Sequence, residues 1–337
     1  MKCLKKWIII LFVGGILISC KEERYTDTVI KGIKFYPEHS RFTNAETCAR
    51  SIQNAGFNTV FMPVRNSDLS DTAEFDLYAF RYELQKCDIR FAAIVPVFYD
   101  PERWDAYPQW RALDQNLNDS PEFWQKMLSP ACEEFRNQKI ELINRIIREL
   151  HPDMLTLDFI RYPVFWENVH VDSLKNITRI YDYNSLFINK FMDLHKADSI
   201  PLTLPDNLTS QEWVSFKTDQ ITTFVKAVKK EIGDLTLILH ILPWLEKDQD
   251  LYLKSIVGQD VDSLGKYADF LSPMMYAMVP GLSAERINNM VSEFASRHPN
   301  IKLAPSYQFT NDLSDLQTDS NYILFHWGLI EKLKENP

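Results

Sequence analysis

Residues 156–163, Thr-Leu-Asp-Phe-Ile-Arg-Tyr-Pro, end an apolar run on Asp158 and follow it at once with Arg161, Tyr162 and Pro163. A carboxyl group among rings and beside a guanidinium has the ingredients of acid–base chemistry, because burial and neighbouring charge decide which protonation state it holds. Glycosidic cleavage suits such a group: a leaving oxygen must be protonated and an oxocarbenium-like state stabilised. Arg161 would orient or ionise Asp158, or bind an acidic substrate group. The same two residues also suit an ion pair that only closes a strand end.

Other residues at the ends of apolar runs are of similar type. They are Tyr36 with Glu38 and His39, Arg65, Tyr99 with Asp100, His240 with Trp244, Tyr276, Tyr307 with Gln308, and His326 with Trp327. The expected substrate contacts are Tyr36, Arg65, Arg161, Tyr162, His240, Trp244, Tyr276, Tyr307 and Trp327, with rings such as Trp244 and Trp327 as a floor for sugar. His240 and His326 suit acid–base work and equally suit hydrogen-bonded core positions. A second carboxylate is to be sought among Glu38, Asp100, Asp206, Glu212 and Glu246, with Glu38 the first choice beside Asp158.

These residues converge only if the elements that carry them form a barrel. Eight short β-branched or aromatic runs are expected as strands, at 29–36, 58–65, 90–98, 154–161, 235–244, 270–278, 301–309 and 321–327. They are almost continuously apolar, as strands covered on both faces should be. Amphipathic helical patterns lie between them at 44–56, 129–150 and 209–233, and a further helix is expected over 171–195. The alternation predicts an α/β fold, a (β/α)8 TIM barrel with enlarged loops after strands 3 and 4. Both loops leave the face on which that fold gathers its functional residues.

Several function classes are disfavoured. A net charge of −9, with no basic run after residue 6, argues against nucleic acid as partner. No HExxH, GxSxG, phosphate-binding glycine loop or calcium loop is present, and nine glycines in 337 residues leave little room for one. Cys48, Cys87 and Cys132 lack metal-ligand spacing and are odd in number, so they read as free thiols. No cofactor is expected.

The first twenty residues carry Lys2, Lys5 and Lys6, an apolar run from Trp7 to Ile18, then Ser19 and Cys20. The run is short for a membrane span and reads as a signal peptide. Leu17-Ile18-Ser19-Cys20 resembles the lipobox of bacterial lipoproteins, which implies lipidation of Cys20 and attachment to the cell envelope. Lys21-Glu22-Glu23 is similar to the acidic tag of surface-exposed lipoproteins of the Bacteroides group, implying the outer membrane. The expected division is a signal peptide over 1–19, an anchor and linker over 20–28, and the barrel over 29–337.

Residues 127–163 resemble the signature of glycoside-hydrolase-like barrel proteins. That signature is a Leu-x-Pro turn (Leu128, Pro130), an arginine-bearing helix (Arg136), and a strand ending Leu-Asp-(Tyr/Phe)-Ile-Arg-Tyr-Pro (Asp158, Ile160, Arg161, Tyr162, Pro163). Residues 212–244 resemble the family's Trp-containing helix and fifth strand, and 268–276, ADFLSPMMY, its sixth strand. The resemblance implies a (β/α)8 fold, a carbohydrate substrate, Asp158 at the acid position and Tyr276 in the cleft. The chain departs from the pattern at Lys217, where the family often has arginine, and at Asp153-Met154, where it has Asp-Gly. Chitinase-like barrels carry a glutamate two residues beyond the last aspartate of strand 4, where this chain has Ile160. Two readings follow: a glycoside hydrolase centred on Asp158, or an inactive carbohydrate-binding barrel serving a glycan uptake or degradation system.

Overall fold

The computed structural model describes residues 29–37, 44–70, 73–196, 210–276, 278–308 and 320–325. Cys20, Glu38, His39, Asp206, His326 and Trp327 lie outside the described residues. Eight parallel strands close into a barrel in chain order: β1 (Lys31–Lys34), β2 (Thr59–Pro63), β3 (Arg90–Pro96), β4 (Met154–Asp158), β5 (Thr236–Ile241), β6 (Phe270–Met275), β7 (Ser306–Gln308) and β8 (Tyr322–Phe325). β8 closes the ring on β1 through Lys31↔Tyr322, Gly32↔Ile323 and Ile33↔Leu324.

All eight expected strands form, each shorter than its apolar run. β4 stops at Asp158 because Phe159 takes a φ of 51°, which turns the chain out of the ladder. β7 starts late: Leu303 makes only an isolated bridge to Leu271, and Pro305 has no N–H to give a neighbour.

The core has two shells because strand side chains alternate. Ile30, Phe61, Ala92, Ile94, Met154, Ile238, Phe270, Ala304 and Ile323 form a separate apolar cluster inside the barrel. The intervening residues, such as Val60, Val95, Leu155, Leu237 and Leu271, belong to the larger cluster between the strands and the helices. Gly32 belongs to the inner set, where an added Cβ would stand 2.6 Å from the Phe61 ring.

The helices that cover the barrel are α1 (Ala45–Asn54), α2 (Leu77–Lys86), α3 (Pro101–Ala106), α4 (Glu133–Leu150), α5 (Ser185–His195), α6 (Gln211–Ile232), α7 (Asp250–Ser255), α8 (Val261–Leu264) and α9 (Ala284–Arg297). Side-chain caps fix several starts: Asn44 accepts from Thr47 N, Asn184 from Phe187 N and Ser210 from Trp213 N. α4 begins four residues later than expected, because residues 129–132 make a turn closed by Cys132 N on Ser129 O.

The helix expected over 171–195 is broken into a 3-10 turn at Val171–Asn176 and α5. Between them the chain bonds across to the segment after β3. Ile180 N donates to Gln115 Oε1, Tyr183 N to Leu113 O and Asn184 Nδ2 to Arg111 O. These bonds replace helical ones and tie the segments after β3 and β4 into one wall of the mouth. Among the described residues no helix is long and apolar enough to cross a membrane.

Candidate active site

Along the inward face, residue type changes from the base of the barrel to its mouth. Two steps of two from Ile30 reach Lys34, and two steps from Met154 reach Asp158. One such step leads from Ile238 to His240, from Phe270 to Ser272 and from Ala304 to Ser306. The barrel therefore ends in a layer of Lys34, Asp158, His240, Ser272 and Ser306 resting on aliphatic packing. Charged groups here lose hydration, so each must find a partner or change its proton occupancy.

Asp158 is the member of that layer with an opening. Its side chain keeps 19% exposure, against 0% for His240. Oδ1 accepts from Phe159 N at 2.7 Å, and Oδ2 stands 3.3 Å from His240 Nδ1, a close approach without hydrogen-bond alignment. Burial alone would push the Asp158 carboxyl up. The His240 ring, the Lys34 ammonium and the Phe159 N–H overcome that push and hold it well below the usual carboxylate range. His240 is itself kept below its ordinary value by burial and by Lys34, with Asp158 opposing.

Lys34 is 2% exposed, and its Nζ lies 3.2 Å from the Tyr276 hydroxyl. Burial lowers its pKa to about 8, against the raising effect of Asp158. Tyr276 is held in turn by ring contacts to Phe325 at 5.0 Å and Trp166 at 5.6 Å. The mouth thus contains an anion, a neighbouring cation and a buried imidazole beside aromatic rings. Such a set can stabilise positive charge developing on a substrate carbon, or present a carboxylate nucleophile or base.

The structure brings only part of the expected set together. Asp158 and His240 meet, Tyr276 reaches the same group through Lys34, and Tyr36 touches the Phe325 ring that packs on Tyr276, at 5.9 Å. Tyr307 is 2% exposed, and burial pushes its pKa up to about 12. Arg161 directs Nη1 to the carbonyls of Tyr162 and Val164. Burial lowers its pKa, and the charge that most opposes this is Glu167, ahead of Asp158. Tyr162 turns away from the mouth and packs between Gly258, Ile221 and Phe187, with its hydroxyl donating to Lys217 O at 3.3 Å. Trp244 is fully enclosed and offers no ring face to a ligand in this structure.

Arg65 is exposed beside a cavity of about 290 Å³, lined also by Val64, Tyr99, Asp100, Arg103 and Lys139. The Tyr99 ring stacks on Phe159 at 4.9 Å, which places this cavity next to the strand end that carries Asp158.

Of the candidates for a second carboxylate, Glu38 and Asp206 are outside the described residues. Asp100 caps α3 and pairs with Lys139 at 2.9 Å and Arg103 at 3.1 Å. Burial would raise its carboxyl, but these cations hold it below its ordinary value. Glu212 is exposed on the first turn of α6. Glu246 is bound by Arg286 at 2.7 Å and by Gln249 at 2.8 Å.

Two mouth residues are absent from the set expected on sequence. Lys34 lies inside an expected strand, and only its period-two relation to Ile30 marks it as inward. Glu167 follows Trp166 in the segment after β4, and an acid beside a tryptophan nine residues beyond Asp158 is the only signal in the chain that points to it. Among the described residues no group of three or more His, Cys, Asp and Glu side chains is placed to hold a metal ion.

No family model and no curated protein matches the chain. Solved structures do. The glycoside hydrolase domain of PgaB (BpsB) from Bordetella bronchiseptica aligns with a TM-score of 0.66 at 12% identity, over 91% of this chain and 98% of that one. The catalytic domain of a β-amylase from Paenibacillus polymyxa aligns at 0.61 and 10% identity, over 87% and 91%. A β-galactosidase from the haloarchaeon Halorubrum lacusprofundi aligns at 0.56 and 11%, over 88% of this chain and 52% of that one. At such identities the likeness establishes the fold, the (β/α)8 barrel of glycoside hydrolases.

Proposed function

We propose that this chain is a glycoside hydrolase acting on an oligo- or polysaccharide outside the cytoplasm, with Asp158 as its essential carboxylate. The observation that carries the reading is the state of Asp158. It is an anion at the C-terminal end of β4, open to the mouth while its neighbours are enclosed, with Lys34, His240 and the Phe159 N–H favouring its charge. A carboxylate so held is ready to balance the positive charge that grows at the anomeric carbon, without moving as the bond breaks. Phe325, partly exposed and packed on the Tyr276 ring, supplies aromatic surface beside this group. The (β/α)8 fold shared with glycoside hydrolases supports the same reading.

The lipobox-like Leu17-Ile18-Ser19-Cys20 supports attachment of the mature chain to the cell envelope through a lipid on Cys20. An anchor of this kind holds the mouth close to polymeric glycan. Palmitate labelling of the chain in cells is expected, and its loss in Cys20→Ala; an unlabelled wild type removes the anchor from the reading.

The test of activity is release of new reducing ends from a panel of oligosaccharides by purified mature protein, beside Asp158→Asn. Turnover is expected in the wild type, with a loss of about 10³-fold or more in the variant. Saturable binding of equal affinity in both proteins, with no turnover in either, would replace the enzyme with a carbohydrate-binding barrel.

A further inference from the structure

Glu167 stands on the 3-10 turn Trp166–Asn168 in the segment after β4. Its neighbour Trp166 is buried against Tyr276, whose hydroxyl meets Lys34, so the turn is keyed to the group that surrounds Asp158. Arg161 and Tyr276 feel the charge of Glu167, and Glu167 feels that of Asp158. The side chain is half-buried, and Oε2 is enclosed with no hydrogen-bond partner among the described residues. Arg161 does not fill that role, since its Nη1 is directed to two backbone carbonyls.

An enclosed carboxylate oxygen without a donor is costly as an anion and much less so as an acid. Burial accordingly lifts Glu167 above its ordinary value against the Arg161 charge and the residue's own backbone N–H, with the charge of Asp158 adding to the rise. Asp158 is shifted the other way. Two carboxyl groups in one mouth are therefore biased to opposite proton occupancies, which is the division that glycosidic cleavage requires.

We propose that Glu167 is the proton donor to the leaving oxygen and that Asp158 is its anionic partner, an assignment that rests on the glycoside hydrolase reading. As the bond from the anomeric carbon to the glycosidic oxygen breaks, both its electrons go to that oxygen, which takes the Glu167 proton. Asp158 balances the charge left on carbon. Water then supplies hydroxyl to that carbon, and its remaining proton restores Glu167.

The experiment compares wild type, Glu167→Gln and Asp158→Asn on a panel of oligosaccharides and on matching aryl glycosides whose dinitrophenolate leaving group needs no proton. Glu167→Gln should lose about 10²–10⁴-fold on oligosaccharides but stay within about tenfold on the aryl glycosides, and should lose the alkaline limb of its pH profile. Asp158→Asn should lose both activities. Equal loss, or no loss, on the two substrate types in Glu167→Gln overturns the assignment and leaves the hydrolase reading standing. Absence of turnover by the wild type on both panels overturns the hydrolase reading and the donor role with it. Infrared titration of ¹³C-glutamate-labelled protein checks Glu167 without turnover. A protonated-carboxyl band should persist above pH of about 4.3 and vanish in Glu167→Gln; titration at or below that value overturns the assignment.

Discussion

Lys34 Nζ lies 3.2 Å from the Tyr276 hydroxyl, which joins the end of β1 to the end of β6, two strands that are not neighbours in the barrel wall. The contact crosses the inside of the mouth and fixes an ammonium group where Asp158 feels it. A lysine taken this far out of water is retained only with compensation, and the Asp158 charge and the phenol oxygen supply it.

Lys34→Met should move the acid limb of the pH–rate profile. The ammonium helps to hold Asp158 below the usual carboxylate range, so its removal lets the carboxyl rise and Asp158 is protonated at higher pH. The acid limb of kcat/KM is expected to shift upward by about one pH unit or more. An unmoved limb, in a variant that unfolds cooperatively like the wild type, would show that Lys34 does not tune Asp158.

Gly258→Ala tests the structural half of the Arg161-Tyr162-Pro163 run. Gly258 has a φ of 74°, and an added Cβ would stand 2.7 Å from the Tyr162 ring and 2.8 Å from Ile221. Strain and overpacking together should cost about 2 kcal/mol or more. Denaturant unfolding measures it, and an unchanged midpoint would mean that Tyr162 is not wedged against α6 as described.

The barrel was legible because eight apolar runs alternating with capped amphipathic segments leave few other architectures, and each run did become a strand. Asp158 was legible because it breaks an apolar run at the point where a strand must end. Which neighbours face it was harder to read. Arg161 and Tyr162 follow it in sequence, yet the positive φ of Phe159 redirects the chain, and Tyr162 enters the outer shell while Arg161 turns to carbonyls. Lys34 and Glu167 come from positions 124 residues before Asp158 and 9 after it, and only strand parity and loop path bring them in. Trp244 shows the converse: a ring just past a strand end was enclosed by the segments that follow.

Arg286→Ala should loosen the segment that carries Glu167. Arg286 on α9 binds Asp172 at 2.6 Å and Glu246 at 2.7 Å, and so clamps the segments after β4 and β5 to the helix after β6. The pairs are partly exposed, so the cost in global stability should be about 1 kcal/mol or less. The local effect should be larger: hydrogen exchange across residues 166–176 is expected to speed up while that of α4 is unchanged. Equal exchange in the two proteins would assign the clamp no role in holding that segment.

Asp182 gives the fold a pH dependence of calculable sign. It is fully enclosed near Lys217, whose Nζ donates to the Tyr181 and Ile256 carbonyls and lies 4.5 Å from the Tyr162 ring centroid. Burial pushes the Asp182 carboxyl up to about 7, and burial brings Lys217 down to about 7. Between pH of about 4 and about 7 the folded chain therefore holds a proton on Asp182 that the unfolded chain has released, and stability falls as pH rises. Above about 7 the unfolded chain keeps the Lys217 proton longer than the folded one, so that contribution rises with pH up to about 10.4. Relative to Asp182→Asn, which cannot titrate at that position, wild type should lose a few kcal/mol from pH of about 4 to about 7, at most about 1.4 kcal/mol for each pH unit crossed. Urea unfolding of both proteins across that range measures the difference. A constant difference would mean that Asp182 is ionised in the folded chain throughout, paired with a charged Lys217.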